Sequence, residues 1–317
     1  MGKLIQNEWI KLFRQVGTYI LIGLLLLIII GSAVLTKSMY RGDSSQAYDW
    51  RQDLIMQNEM NEEQLKDSEY LPKSLEKFYK DEISLNEYRL EHDLAITQQY
   101  TKWEFLMDSA SLAHVVGLIV IIIASRIVAN EFNWGTIKVL LIKPFSRWKI
   151  LMSKYFAVLA TYIMLLLILF FVSFLLSSIL FTNGPESSNV FLQVVDGQVI
   201  EKSMVSHIAM NYIFTSINYF MLMTMAFMIS AAFRTSSLAI GISITLVFAG
   251  GGVTQLLAQK FEWAKYILFA NVDLLQYDRG EAFVEGMTMQ FSIIMLIIYF
   301  ILFHLLALLF FGKRDVS

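Results

Sequence analysis

The chain of 317 residues contains no cysteine, which denies it disulfides and any thiolate metal or redox centre. Charge is scarce: 16% of residues are Asp, Glu, Lys or Arg, where soluble domains carry about 25%. Six long windows hold no charge at all, at 15–36, 109–125, 155–185, 203–233, 235–259 and 286–312. Since these windows contain no carboxylate, they offer no proton relay within a membrane, which argues against an ion-coupled secondary transporter. Signatures of self-sufficient chemistry are missing too. There is no G-x-x-x-x-G-K-S/T, no H-E-x-x-H and no G-x-S-x-G. The four histidines (His92, His114, His207, His304) lack metal-ligand spacing, so no metal site and no catalytic residue is expected.

What is present is apolar. The composition is 56% hydrophobic with a mean hydropathy of +0.55, and each uncharged window is about as long as the 17–25 residues a spanning helix needs. The expected fold is an all-α polytopic membrane protein with six transmembrane helices at 17–36, 109–128, 155–181, 207–233, 235–257 and 290–311. Residues after the first apolar run, Thr36-Lys37-Ser38-Met39, lack a small-x-small cleavage site, so that run is expected to be retained as a span. Arg126 closes the shortest window, where a long cationic side chain can reach the headgroups.

The charges predict an orientation. With both termini in the cytosol, the cytosolic segments (1–14, 126–154, 234 and 313–317) carry 12 Lys and Arg against three acids, Glu8, Glu131 and Asp315. The outer segments carry 13 against 24. Short cytosolic loops rich in Lys and Arg follow the positive-inside rule.

Between the spans, residues 1–16 read as an interfacial helix. Ile5, Trp9, Leu12, Phe13 and Val16 recur at helical spacing opposite Lys3, Asn7, Lys11 and Arg14. Segment 37–108 has soluble composition, with 16 acids and nine bases. Its apolar recurrence predicts two helices broken near Leu71-Pro72, forming an outer helical domain. In the outer loop 182–206, two apolar runs flank Asp196-Gly197 and predict a small β-hairpin. Segment 258–289 is too apolar for a free loop and too short to cross and return. It is expected to be an outer interfacial helix or a shallow re-entrant element. Residues 312–317 are expected to form a cytosolic tail.

Within the spans, Asn211, Thr215 and Asn218 share one helix face. They are candidates for a translocation face or for ordinary helix packing. The triplet Gly250, Gly251 and Gly252 weakens a helix by about 1 kcal/mol per glycine relative to alanine, and is expected to mark a bend or a close crossing.

The loop 129–154 carries the functional expectation. It holds Lys138, Lys143, Arg147, Lys149 and Lys154 against Glu131 alone, yet it is apolar and aromatic. Topology and anionic lipid account for its bases but not for Glu131, Gly135 and Thr136. The chain resembles the ABC-2-type permease family, the membrane subunits of bacterial ATP-binding-cassette exporters. The resemblance rests on Asn7-Glu8-Trp9 with Lys11-Leu12-Phe13-Arg14; on Asn130-Glu131-Phe132 followed by Gly135-Thr136-Ile137-Lys138; on Lys143-Pro144, Ser146-Arg147, Lys149-Ile150-Leu151 and Ser153-Lys154; and on Phe269-Ala270-Asn271-Val272-Asp273-Leu274. It covers nearly the whole chain and is weakest in 37–108.

That resemblance implies a non-catalytic permease of the bacterial cell membrane. It would export an amphipathic or apolar substrate (peptide, antibiotic or lipid-like) at the expense of ATP and magnesium bound by a separate cytosolic ABC ATPase. It also implies a second permease subunit, identical or paralogous, with membrane lipid around it and no nucleic acid. Loop 129–154 would then dock on the ATPase, with Glu131, Gly135, Thr136, Lys138, Arg147 and Lys149 as coupling residues. The competing expectation is a membrane sensor or binding protein that uses the outer helical domain as receptor.

Overall fold

The structure is a computed structural model that describes residues 1–40, 49–66, 71–97, 99–136, 145–195, 197–233, 235–280 and 282–312. The chain is an all-α multi-pass membrane protein with six helical segments long and apolar enough to span a bilayer, and its described strands form a two-stranded sheet. It divides into two compact units. One comprises Met1–Ile29, Ala110–Val172 and Asn211–Ser317, the other Ile30–Ser109 and Ser173–Met210.

The first unit opens with helix α1 (Gly2–Phe13), which ends where Arg14 and Gln15 turn the chain into α2 (Val16–Met39). The buried Thr18 hydroxyl donates to the Leu12 carbonyl at 2.6 Å, fixing that turn. The second candidate span, Lys102–Asn133, is not one helix. It is assembled from α5 (Lys102–Ala110), α6 (Ala113–Ile127) and α7 (Ala129–Asn133), where a single span at 109–128 was expected. The third is α8 (Arg147–Leu180). It starts ahead of the expected position 155, so Lys154 lies about two turns inside a helix rather than in a loop. The remaining spans are α9 (Met204–Ala232) and α10 (Ser236–Ala258), followed by a last helix (Met289–Gly312).

Burial separates these spans. The most apolar windows of the second and fourth are 67% and 61% buried, against 17–22% for the other four, so α6 and α9 supply the interior. Gly117 shows how closely they approach: a Cβ there would lie 1.9 Å from Cδ1 of Tyr219. Small residues permit such contact in membranes, where packing rather than the hydrophobic effect holds helices together. Polar ties add to it. Tyr155 and Thr224 hydroxyls meet at 3.0 Å, and the Tyr162 hydroxyl donates to the Ser216 carbonyl at 2.8 Å.

The glycine triplet in α10 is helical throughout, without a break in the helix. What it provides is a close crossing. A Cβ on Gly250 would fall 2.3 Å from Cζ of Phe269, while Gly251 and Gly252 face open space. Phe269 belongs to a compact knot of short turns within 258–289, where an interfacial helix or a shallow re-entrant element was expected. A 3-10 turn (Glu262–Tyr266) is followed by α11 (Leu268–Asn271) and α12 (Leu275–Asp278), ahead of the last helix, α13 (Met289–Gly312). Buried amides hold it. Asn271 Nδ2 donates to the carbonyls of Lys265 and Ile267, both at 2.8 Å, and Asn271 Oδ1 accepts from Ser292 at 2.8 Å. Gln276 Nε2 donates to the Ala270 and Asp273 carbonyls at 3.0 and 2.7 Å. Short turns expose backbone groups that a continuous helix would satisfy, and these side chains satisfy them instead.

In the second unit, α3 (Trp50–Lys66) packs on α4 (Lys73–Glu91) through buried Leu54 and an Asn86 Nδ2 to Asn58 Oδ1 bond of 2.9 Å. Pro72 caps α4, where its missing N–H costs nothing. Two helices and their break were expected; α5 was not. Thr101 and Glu104 form its capping box, with the Thr101 N–H donating to the Glu104 carboxylate at 2.6 Å and the Glu104 N–H donating to the Thr101 hydroxyl at 3.3 Å. The hairpin is present as β1 (Val190–Val195) and β2 (Gln198–Ser203), antiparallel, with Val195 opposite Gln198. Gly197 in its turn has φ +76°, and Asp196 lies outside the described residues.

Candidate functional site: a buried charge junction

Within the first unit, α1, α7 and α8 meet at three buried charges. The side chain of Lys154 is only 1% exposed, and its Nζ donates 2.6 Å to Glu8 Oε2 and 2.6 Å to Glu131 Oε1. Lys11 closes the cluster from α1, 2.9 Å from Glu8 Oε1 and 3.8 Å from Glu131 Oε1. The Thr136 hydroxyl donates to the remaining oxygen of the Glu131 carboxylate, Oε2. Two carboxylates and two ammonium groups therefore balance.

The chemistry requires that balance. An isolated buried charge costs several kcal/mol in lost hydration, and only a paired, hydrogen-bonded arrangement offsets it. Burial pulls the Lys11 pKa down, but the adjacent Glu8 and then Glu131 outweigh it, holding the ammonium above its ordinary value.

The local helices aim these groups. Val128 and Ala129 at the start of α7 donate their N–H groups to Ser230 Oγ of α9, each at 3.1 Å. Asn133 at its end donates to Ser236 Oγ at 2.8 Å. The Ser230 side chain thus takes up two backbone donors at the break between α6 and α7, the Asn133 side chain ties the end of α7 to α10, and Glu131 is held facing Lys154. Gly135 follows with φ +68°, in the left-handed region that favours glycine, although a Cβ would meet nothing there within 4 Å. Backbone conformation, not space, selects the residue.

The expected coupling residues divide accordingly. Glu131 and Thr136 come together at the junction, and Gly135 turns the chain beside them. Glu131 is buried, and its carboxylate is engaged by Lys154 and Thr136. Lys138 lies outside the described residues, as do Lys143 and Pro144. Arg147 stands apart, its Nη1 donating to the Gly312 carbonyl at 2.6 Å, a cation at the C-terminal end of α13. Lys149 is exposed. Of the second set, Thr215 is buried, Asn211 and Asn218 are partly exposed, and Asn218 Oδ1 is a buried acceptor without a hydrogen bond.

Sequence reasoning missed the centre of the site, Lys154, and its partner Glu8. One signal was available. Glu8 and Glu131 are isolated acids in two otherwise basic segments, and a lone acid there calls for a cation on another element.

The fold and the spans define a multi-pass membrane protein with a charge-locked helix junction. Residues 78–317 match the family described as "Protein of unknown function (DUF2705)", and the chain belongs to that family. It is 49% identical to the "Uncharacterized protein YhcI" of Bacillus subtilis (strain 168) across the full length of both chains. It is 32% identical to the "Uncharacterized membrane protein YdbK" of the same organism, over 67% of this chain and 82% of that one.

Proposed function

We propose that the protein is the permease subunit of an ABC-2-type exporter in the bacterial cell membrane, with both termini cytosolic. A separate ABC ATPase that binds ATP and magnesium would drive it, and it would pair with a second permease subunit. One observation carries this proposal. Lys154 joins the amphipathic helix α1, the short helix α7 and the long span α8 through two 2.6 Å ion pairs. Force applied to the basic loop that follows α7 would therefore pass into α1 and α8 together. That is what a membrane subunit with no P-loop of its own requires from an external motor. The missing relay carboxylate and the excess of Lys and Arg over acids in the short segments on the loop side point the same way.

An amphipathic or apolar cargo is supported by a groove of about 440 Å³ along α8 and α9, lined by residues such as Ile163, Leu167, Phe170 and Tyr212. Ligand sites of this size are typically apolar with a few polar groups. The test is affinity purification of the full-length chain from its native membrane. A P-loop ATPase should co-purify in near-stoichiometric amount, and its absence would overturn the proposal.

A sensor role has one observation in its favour. The second unit contains a cavity of about 150 Å³ lined by Arg89, Thr97, Thr101 and Ser187, among others. Binding of an extracytoplasmic ligand there, without any ATPase partner, would favour the sensor.

A further inference from the structure

The junction adjoins a cavity of about 250 Å³ that its ion pairs do not explain. Four cations line it (Lys11, Arg14, Arg126 and Lys154), against two carboxylates, Glu8 and Glu131. The two lysines are matched by the two carboxylates. The two arginines are surplus. Arg14 is exposed and has no ion pair among the described residues. Arg126 is the stronger case, because its Nε and Nη2 are buried and make no hydrogen bond. A guanidinium presents five donors in a rigid fork and cannot shed its charge by losing a proton. Leaving that fork unpaired at the end of an apolar span is costly unless an acceptor comes from outside the chain.

The location says what brings the acceptor. Arg126 lies in the last turn of α6, the apolar run Ala113–Ile127, and a cation at the end of such a run can reach lipid headgroups. Its Nη1 lies 4.0 Å from where a Gly17 side chain would begin, at the start of α2. Just beyond, Val16, Tyr19 and Ile20 are 74%, 60% and 64% exposed, a surface suited to acyl chains. A tetrahedral oxyanion accepts from an arginine fork with two oxygens at once, and a surplus of two positive charges selects a headgroup of net negative charge.

We propose that this cavity is a binding site for the phosphate of an anionic glycerophospholipid, held by Arg126 and Arg14 beside the Glu8–Lys154–Glu131 junction. The lipid offsets the surplus charge of the two arginines and anchors α1 to the membrane surface. The proposal is independent of the ATPase, since the unpaired guanidinium is there whether or not a motor docks.

The test uses the full-length chain, delipidated in neutral detergent and titrated separately with dioleoyl phosphatidylglycerol, dioleoyl phosphatidylcholine and inorganic phosphate. Bound lipid is read by native mass spectrometry and the melting temperature is followed in parallel. Phosphatidylglycerol should bind with one tight site and raise the melting temperature. Arg126→Gln should weaken that site about tenfold or more, the loss expected for a charge-assisted pair. Arg14→Gln, an exposed substitution that leaves the fold intact, should weaken it in the same direction. Unchanged phosphatidylglycerol binding in a folded Arg14→Gln and a folded Arg126→Gln protein would overturn the site. Equal binding of phosphatidylcholine would overturn its selectivity for anionic lipid. Displacement of phosphatidylglycerol by low concentrations of inorganic phosphate would assign the site to a soluble oxyanion instead.

Discussion

At the scale of single residues, Lys154 has the greatest consequences. Removing one partner of a buried, hydrogen-bonded charge cluster leaves the others uncompensated, at a cost of about 3–5 kcal/mol. Lys154→Met should therefore lower the melting temperature sharply, while the triple substitution with Glu8→Gln and Glu131→Gln should recover part of the loss. Thermal unfolding of the two proteins in the same detergent measures both effects; equal destabilisation would show that the buried lysine is not compensated by those carboxylates. The glycines offer a paired contrast. Gly117→Ala forces a methyl group into the Tyr219 ring and should destabilise by about 1–3 kcal/mol, the range for overpacking. Gly252→Ala adds a methyl into open space on a helix and should stabilise by about 0.5–1 kcal/mol. Opposite signs in one unfolding series would confirm that close approach, and not glycine content, matters in these spans.

At the scale of elements, the length of the uncharged apolar windows made the spans legible. Long uncharged windows identify membrane helices because the bilayer leaves few alternatives for a backbone that must satisfy its own hydrogen bonds. The hairpin was legible for a similar reason, since an Asp-Gly pair between apolar runs has one favoured geometry. Two elements were not. The second span is broken into α5, α6 and α7, and only α6 is strongly apolar, so the flanking helices, which carry Lys102, Glu104, Asp108 and Glu131, left no hydropathy signal. The knot at Glu262–Asp278 was unreadable because amides rather than a hydrophobic pattern hold it. Helix α5 did leave a sign, the Thr-x-x-Glu capping box at Thr101 and Glu104. Thr101→Val should cost about 0.5–2 kcal/mol and fray α5 first. Hydrogen exchange should show earlier loss of protection at Lys102–Ala110 than in α6, and unchanged exchange there would remove the cap from the account.

At the scale of the whole molecule, the absence of cysteine makes orientation testable in the natural background. A single cysteine placed at the exposed Lys149 should react with an impermeant thiol reagent only after intact cells are opened, and one at the exposed Glu186 should react before. The reverse pattern would invert the proposed topology. Of the site, the sequence showed Glu131, Gly135 and Thr136 but not their purpose. Ion pairs across Glu8, Glu131 and Lys154 join positions far apart in the chain, and no local pattern encodes that. Coupling free energies between sites of about 1–3 kcal/mol correspond to roughly 5–150-fold effects, and this sets the scale of the decisive measurement. The chain is reconstituted in vesicles with the ATPase that the proposed function requires, and ATP hydrolysis is compared for the natural chain and Glu131→Gln. The account predicts that the natural chain stimulates hydrolysis, and that Glu131→Gln still binds the ATPase but loses about tenfold of the stimulation. An ATPase rate indifferent to the presence of the chain, or full stimulation by Glu131→Gln, would contradict it.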